Sequence, residues 1–268
     1  MTYETIKPET FQVIHGSLES SLNEGPTPSV DDGLLYGIGF FETINILEGA
    51  CFLSEHVNRI NVSLEAFRID RRLTEACLRQ LIAAHNWHNI VLKIVITKYN
   101  TLAIIRMNPY TELHYQDGFS LTQSDVTKST HSAFIRHKSL NYGENLWALK
   151  GAKKAGYNDC LFANEFGNVT ESSVANLFII ENNQMITPPL SEGLLPGIIR
   201  SKMLQIYSVR EEAITPERIL KCDGAFLTNS IVGVIKVSAY VGLKLPENPM
   251  IDAIRIKMIE EARCSYVV

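Results

Sequence analysis

Short runs of β-branched and aromatic residues recur along this chain, interleaved with helical patterns in no regular order. Four such runs in the first hundred or so residues predict strands, at 11–14, 43–47, 90–97 and 102–107. Apolar residues spaced by three and four predict helices over 54–67, with Ser54 as a candidate N-cap, and over 73–85. Because strands and helices mix without strict βαβ alternation, the sequence favours an α+β or irregular α/β fold.

The second half of the chain continues the same mixture. Strands are predicted at 159–163, 175–180, 225–228 and 233–237, and helices at 144–155, 196–207, 216–220 and 250–262. Between the halves, the stretch 108–132 is rich in Asn, Pro, Asp, Ser and Thr, which is typical of a connection. We therefore predict an N-terminal α+β domain over 1–115, an interdomain connection over 116–132 and a second domain over 133–268.

Composition narrows the class of protein. The 268 residues are 46% hydrophobic and 20% charged, with a net charge of -4 and no basic stripe, which argues against a nucleic-acid partner. The apolar runs are far shorter than a membrane span, and we expect no membrane partner. Five scattered cysteines without CxxC spacing suggest neither disulfides nor a metal site, so we expect a cytoplasmic protein.

The usual nucleotide fingerprints are missing. Gly37-Ile38-Gly39 lacks the third glycine and the helix start that would hold a pyrophosphate, and no GxxxxGK[ST] occurs. If the protein binds a phosphate, it does so by other means.

The most informative segment is HKSLNYGENLWALKGAKKAGYNDCLFANEFGNVTESSVANLF, residues 137–178. It resembles the central block of class IV aminotransferases and their lyase relatives. In that block a lysine, an Asn-Tyr pair and a helix ending in Ala-Gly precede a Gly-x-Val-x-Glu turn and an Asn-Leu-Phe strand.

Four further blocks resemble the same family and follow in its order. They are DDGLLYGIGFFET (31–43), HVNRI (56–60), GLLPGIIR (193–200) and FLTNSIVGVIKV (226–237). The resemblance implies a two-domain fold-type IV enzyme, similar to D-amino-acid aminotransferases, with pyridoxal 5'-phosphate (PLP) held between the domains. It also implies a homodimer that acts on a small-molecule amino substrate.

The resemblance assigns three residues to the ring of the cofactor. Lys138 would carry PLP covalently, because an aldehyde cofactor needs an amine nucleophile that also moves protons. Glu171 would pair with the pyridine nitrogen, and Tyr142 would bind the phenolic oxygen. Taken singly, Glu171 also fits an exposed turn carboxylate, and Tyr142 a core tyrosine.

A second group would hold the phosphate, which carries about two negative charges. Arg59 would supply the guanidinium, although alone it also fits a helix-surface arginine. Backbone N–H groups at a predicted helix start and at a tight turn would complete the phosphate site, and the Ser230 hydroxyl would add a donor. These positions are Gly197, Ile198, Ile199, Ser230 and Ile231.

Residues on the substrate side must decide the reaction, because one cofactor cradle serves several activities. Tyr36 and Phe41 are candidates to line the substrate site, and Asn229 precedes the turn at Ser230. Many lyases of the family have Arg-Gly where this chain has Lys98-Tyr99. Arg106, together with Lys98, is therefore our candidate for binding the substrate carboxylates, and its alternative is a strand-surface arginine.

Three features favour a lyase within the family. D-amino-acid aminotransferases have a Tyr at the place of Phe41 and an Arg-x-His carboxylate trap, which this chain lacks. Branched-chain aminotransferases are usually longer, and Thr228-Asn229-Ser230 is more similar to the lyase loop. We expect a 4-amino-4-deoxychorismate lyase that forms 4-aminobenzoate and pyruvate for folate synthesis. The alternatives are an aminotransferase of branched-chain or D-amino acids and a PLP-binding protein without catalysis.

Overall fold

The computed structural model describes residues 3–15 and 27–266, which divide into two compact units. The first unit consists of Met1–Pro109, His137–Asn141 and Glu261–Val268, and the second of Tyr110–Arg136 and Tyr142–Glu260. The short segment that contains Lys138 therefore returns to the first unit after the second has begun.

The first unit is built on a four-stranded sheet with three helices. Its strands are β1 (Glu4–Thr5), β2 (Gln12–His15), β3 (Phe40–Ile46), β4 (Arg71–Arg72), β5 (Ile90–Ile96) and β6 (Thr101–Arg106). Its helices are α1 (Asp32–Tyr36), α2 (Leu53–Ala66) and α3 (Glu75–Ala84), with a 3-10 turn at Pro8–Thr10. The sheet order is β2-β6-β5-β3, in which only β2 and β6 run parallel, and β1 pairs with β4 separately.

Helix α2 packs through a stripe of residues spaced by three and four, as its sequence predicts. Leu53, Val57, Ile60 and Leu64 lie in the core of the first unit, and His56 is buried on the same face. The predicted N-cap at Ser54 is wrong. The helix begins at Leu53, and its N-cap is the buried Phe52, whose backbone N–H donates to the Ser265 hydroxyl.

The position of helix α1 is fixed by a polar network that explains part of the DDGLLYGIGFFET block. The Asp31 carboxylate caps α1 by accepting from the Leu34 N–H and also accepts from the Tyr99 N–H and the Asn100 amide. A Cβ on Gly33 would lie 2.3 Å from the side chain of Thr97, so any larger residue at this position would push away the turn between β5 and β6. The block therefore docks α1 on the turn between β5 and β6.

The second unit is a mixed sheet of nine strands. These are β7 (Phe119–Lys128), β8 (Asp159–Asn164), β9 (Val169–Ser172), β10 (Asn176–Glu181), β11 (Gln184–Thr187), β12 (Val209–Glu211), β13 (Gly224–Asn229), β14 (Gly233–Tyr240) and β15 (Leu243–Lys244). The order is β12-β11-β10-β13-β14-β7-β8-β9, and β15 pairs with β14. Because β9 also pairs with β10 through Glu171 and Asn176, six strands form a closed ring.

Five helices belong to or begin in the second unit. They are α4 (Glu112–Asp117), α5 (Gly143–Lys154), α6 (Ile198–Ile206), α7 (Pro216–Ile219) and α8 (Pro249–Cys264), with a 3-10 turn at Leu190–Glu192. The ring strands contribute most of a second apolar core, which includes Leu121, Leu161, Leu177 and Leu227. Each unit thus has its own core, and the predicted mixture of helices and strands is present in both.

The largest difference from the sequence prediction lies at the expected connection, 116–132. Most of it is the ten-residue strand β7, which lies between β14 and β8. The pairing of β7 with β8 shifts register between Gln123 and Thr127, so a bulge interrupts the alternation that would have indicated a strand. None of the helices in the described ranges has the length and apolar character needed to cross a bilayer.

Candidate active site

Lys138 lies against the sheet of the first unit. The Phe41 N–H donates to the Lys138 carbonyl at 2.8 Å, and Phe40 and Ser139 form an antiparallel bridge, so the segment extends the edge at β3. The Lys138 Nζ lies 4.5 Å from the centroid of the Phe41 ring, which is only 6% exposed. The amine therefore lies over the face of a buried aromatic ring.

A second lysine contacts the same ring. The Nζ of Lys93, on β5, lies 4.3 Å from the Phe41 centroid. Burial lowers the pKa of Lys93, and the nearby charge of Arg106 lowers this pKa further. Within the described part of the chain, no carboxylate forms an ion pair with Lys93. Our sequence reasoning missed this residue, although a lysine inside the apolar run IVLKIVI was a visible signal.

Arg59 is held in one orientation by a buried carboxylate. Its Nε and Nη2 donate to the two oxygens of Glu42 at 2.7 Å each, and the His56 Nδ1 lies 2.5 Å from the same carboxylate. Burial alone would raise the pKa of Glu42, but the charge and hydrogen bonds of Arg59 and the hydrogen bond from His56 outweigh it and lower the pKa to about 2. Glu42 is therefore ionised, and the fork of Arg59 is fixed.

His56 is neutral in this cluster. Burial lowers its pKa, and the charges of Arg59 and Lys138 lower this pKa further, which together outweigh the charge and hydrogen bond of Glu42 that raise it. An ionised carboxylate can only accept, so the His56 Nδ1 carries the proton. Its Nε2 is buried and has no hydrogen-bond partner in the described ranges.

The two other predicted residues of the first unit lie at its surface. Tyr36, at the end of α1, is 65% exposed. Arg106 is the last residue of β6 and is exposed, and its charge lowers the pKa of Lys93. The structure thus brings Lys138, Phe41 and Lys93 together, with Arg106 as a second nearby cation.

In the second unit, Glu171 is oriented by its neighbours. Its Oε2 accepts from the Asn176 Nδ2 at 3.1 Å and from the Leu195 N–H at 3.2 Å. The same Asn176 Nδ2 donates to the Leu195 carbonyl at 3.0 Å. This arrangement joins β9, β10 and the loop before α6, and Asn176 is a further residue that our site prediction had not included.

The start of α6 offers backbone donors. Gly197 is its N-cap, and no side chain caps the N–H groups that follow at Ile198 and Ile199. A Cβ on Gly197 would lie 1.9 Å from the Asn176 Oδ1, so only glycine lets the loop approach this closely. The predicted helix start at these residues is present, and its geometry suits an anion.

The turn between β13 and β14 holds Ser230, Ile231 and Asn229. The Asn229 Oδ1 accepts from the N–H groups of Ile231 and Val232 at 2.8 Å each, and its Nδ2 donates to the Val174 carbonyl at 3.2 Å. These bonds give Asn229 a structural role in shaping the turn. They also occupy the Ile231 N–H that we expected to face the phosphate, while Ser230 remains partly exposed.

Tyr142 caps the start of α5 and is anchored in the second unit. Its hydroxyl donates to the Ser173 carbonyl at 2.5 Å. Burial raises the pKa of Tyr142 far above its ordinary value, and the charges of Glu171 and Asp159 raise this pKa further. The phenol therefore keeps its proton and remains a hydrogen-bond donor.

These residues fit the groups of PLP. The first unit supplies an amine beside an apolar ring and an oriented guanidinium, which suit the aldehyde and the phosphate. The second unit supplies the uncapped start of α6, which Gly197 leaves free of side chain, a carboxylate and a phenol. In the described ranges, no group of three or more His, Cys, Asp or Glu side chains is arranged to hold a metal ion.

Comparison with known proteins identifies the family that this chain resembles. The family model described as amino-transferase class IV matches residues 39–240. The aminodeoxychorismate lyase of Bacillus subtilis is 25% identical over 76% of this chain and 78% of its own length. The D-alanine aminotransferase of Bacillus licheniformis is 27% identical over 79% of this chain and 82% of its own length.

A solved structure is similar over nearly the whole chain. It is a Legionella pneumophila protein named "Putative 4-amino-4-deoxychorismate lyase", with a TM-score of 0.79 and 26% identity over 94% of this chain and all of the other. The predicted fold class is thereby confirmed. The chain belongs to the class IV aminotransferase family, whose members are enzymes that use pyridoxal 5'-phosphate.

Proposed function

We propose that the chain is a 4-amino-4-deoxychorismate lyase, which splits its substrate into 4-aminobenzoate and pyruvate. The observation that carries this proposal is the half-buried Lys93, which shares the Phe41 ring with Lys138 and has Arg106 nearby. Two cations in addition to the cofactor amine suit a substrate with two carboxylates. The apolar amino donor of an aminotransferase would bring one carboxylate to these two cations, and only its 2-oxoglutarate partner would bring two.

We assign the cofactor contacts as follows. Lys138 attaches the cofactor, Arg59 and the N–H groups of residues 197–199 bind its phosphate, and the residues of the β13–β14 turn close the phosphate site. Ser230 contributes its hydroxyl there, while the Ile231 N–H is already bonded to the Asn229 Oδ1 and shapes the turn. Glu171 pairs with the ring nitrogen, and Tyr142 donates to the phenolic oxygen. PLP, when bound, acts as an electron sink for charge that develops on the substrate.

The reaction needs a proton to move between two carbon atoms of the substrate. The Lys138 amine, which is free once the substrate amine has taken its place, removes the proton from C4, the C–O bond to the enolpyruvyl group breaks, and the ring becomes aromatic. The same amine then protonates the methylene carbon of the leaving group, which gives pyruvate. Phe41 keeps the amine beside an apolar surface, and Lys93 and Arg106 hold the carboxylates.

The second candidate is an aminotransferase of branched-chain or D-amino acids. It is supported by the likeness to the D-alanine aminotransferase of Bacillus licheniformis. In that case, Lys138 would return the proton to the cofactor rather than to a leaving group. We further propose that the protein is a homodimer in the cytoplasm, and light scattering of the purified protein would then give twice the mass of one chain.

One assay separates the two activities. The PLP-loaded protein is incubated with aminodeoxychorismate while 4-aminobenzoate and pyruvate are measured, and in parallel with D-alanine or leucine plus 2-oxoglutarate while glutamate is measured. The lyase proposal expects equimolar 4-aminobenzoate and pyruvate without 2-oxoglutarate. Glutamate formation without 4-aminobenzoate would reject it in favour of the aminotransferase. Lys138→Ala is the inactive control, and Lys153→Ala, an exposed lysine at the end of α5, controls for loss of a lysine.

A further inference from the structure

The hydroxyl of Tyr142 shares its acceptor with a second side chain. Tyr142 donates to the Ser173 carbonyl at 2.5 Å, and the Asn145 Nδ2 donates to the same oxygen at 2.9 Å. Asn145 lies one turn further along α5 and is buried. One buried carbonyl thus has two donors, although one is enough to satisfy it.

The orientation of the Asn145 amide is set by Lys128, at the end of β7. The Lys128 Nζ donates to the Asn145 Oδ1 at 2.8 Å, and an ammonium group can only donate. The Nδ2 of Asn145 must therefore point toward Ser173. Lys128 is itself held by Glu144 at 3.2 Å and by the Phe162 ring at 4.4 Å.

The acceptor is also held in place. The Asp159 Oδ1 accepts from the Ser173 N–H at 3.3 Å and from the Cys160 N–H at 2.7 Å, which fixes the segment at Ser173 from its other side. The carbonyl is therefore expected to keep its position if a donor leaves it. A buried carbonyl that loses its only donor is destabilised. The Asn145 amide therefore decides whether the Tyr142 hydroxyl can turn away from the Ser173 carbonyl.

We propose that Asn145, oriented by Lys128, is a positioning residue that lets Tyr142 direct its O–H to the phenolic oxygen of the cofactor. When Tyr142 rotates its proton away from Ser173, Asn145 keeps the Ser173 carbonyl satisfied. Without Asn145, the Tyr142 hydroxyl keeps its hydrogen bond to the Ser173 carbonyl, because that carbonyl has no replacement donor. This inference rests on the cofactor contact that we propose for Tyr142, and it does not depend on which substrate the enzyme uses.

A double-mutant cycle tests the inference through cofactor binding alone. The dissociation constant of PLP and the absorbance maximum of the bound cofactor are measured for the wild type, Asn145→Ala, Tyr142→Phe and the double variant. We expect Asn145→Ala to weaken binding about tenfold when Tyr142 is present and less than about twofold when Phe replaces it. Asn145→Ala should also shift the absorbance maximum in the same direction as Tyr142→Phe.

Two further variants guard against a simple folding defect. Asn145→Asp is nearly isosteric and can still pair with Lys128 but has no donor for Ser173, so it should behave like Asn145→Ala. Asn164→Ala removes a buried asparagine from a separate network with Glu192 and should leave PLP binding unchanged.

An equal loss from Asn145→Ala in both backgrounds would overturn the inference while leaving the proposed role of Tyr142 intact. If Tyr142→Phe alone left PLP binding and absorbance unchanged, the contact proposed for Tyr142 and the inference would both fail. The lyase assay on the wild type is independent of either result.

Discussion

At the scale of single residues, Glu42 determines how Arg59 is presented. It is the buried, ionised partner of both Arg59 and His56. Replacing Glu42 with Gln leaves the guanidinium without its counter-charge. We expect a loss of unfolding free energy of about 3–5 kcal/mol and PLP binding weakened about tenfold. Urea unfolding and PLP titration measure the two effects, and Glu75→Gln, in an exposed pair with Arg79, should change neither.

The contribution of Glu42 to the free energy of unfolding depends on pH. Its pKa in the folded protein is about 2, below the ordinary glutamate value of 4.5. A carboxylate whose pKa is lower in the folded protein than in the unfolded chain stabilises the fold. This stabilisation is complete above the pKa of the unfolded chain and is lost as the pH falls toward the pKa of the folded protein. The stability difference between wild type and Glu42→Gln should thus be constant down to about pH 5 and shrink below it. A difference that grew on acidification would contradict this assignment of charge.

Lys93 is the residue that links the geometry to the substrate. Lys93→Met keeps the aliphatic contact with Phe41 but removes the charge. If Lys93 binds a substrate carboxylate, the KM for aminodeoxychorismate should rise about 10-fold to 100-fold, since a hydrogen bond to a charged group contributes about 1.5–3 kcal/mol. Lys93→Arg should recover much of this loss. Steady-state kinetics decide the point, and an unchanged KM for Lys93→Met would remove the support that this residue gives to the lyase proposal.

At the scale of elements, the start of α6 depends on the absence of one side chain. Gly197→Ala would place a Cβ on the Asn176 Oδ1 and displace the side chain that orients Glu171. We expect PLP binding to weaken at least about tenfold while circular dichroism stays that of the wild type. Gly151→Ala is the matched control, because nothing lies within 4 Å of its Cβ and α5 should gain up to about 1 kcal/mol. Equal affinity of both variants for PLP would show that the loop does not approach the cofactor.

The sequence predicted the elements whose apolar pattern is regular. Strands β3 and β5, with their β-branched runs, and helix α2, with its buried stripe, lie within a few residues of their predicted bounds. Strand β7 was missed because its middle is polar and a bulge breaks its alternation. The short strand β12 pairs with β11 from a distant part of the sequence, which local patterns do not encode. Strands β9 and β11 each pair with the neighbouring β10, and we missed them because they are only four residues long.

The candidate site was predictable where motifs name residues and less so where tertiary contacts decide. The motif blocks pointed to Lys138, Arg59 and Glu171, and the structure adds what orients Arg59 and Glu171. The side-chain bonds of Asn229 are within its own turn and to Val174, which only the folded chain reveals. The place of Lys93 in the site became clear only from the fold, in which its amine and that of Lys138 both contact the Phe41 ring.

At the scale of the whole molecule, each unit has its own apolar core, and we assign cofactor contacts to both. Leu78→Ala in the first core and Leu177→Ala in the second should each cost about 2–5 kcal/mol, since both side chains are fully buried. If residues of both units hold PLP, a hundredfold excess over its dissociation constant should stabilise both variants by about 2.7 kcal/mol. Thermal unfolding with and without PLP measures this, and stabilisation of only one variant would place the cofactor contacts in one unit.

The most direct test is to find the residue that carries the cofactor. The PLP-loaded protein is reduced with borohydride, digested and analysed by peptide mass spectrometry. We predict one pyridoxyl-phosphate group per chain, on Lys138, and none on the Lys138→Ala protein treated in the same way. A label on Lys93 or another lysine, or full labelling of the Lys138→Ala protein, would contradict the assignment of Lys138 as the amine that binds PLP.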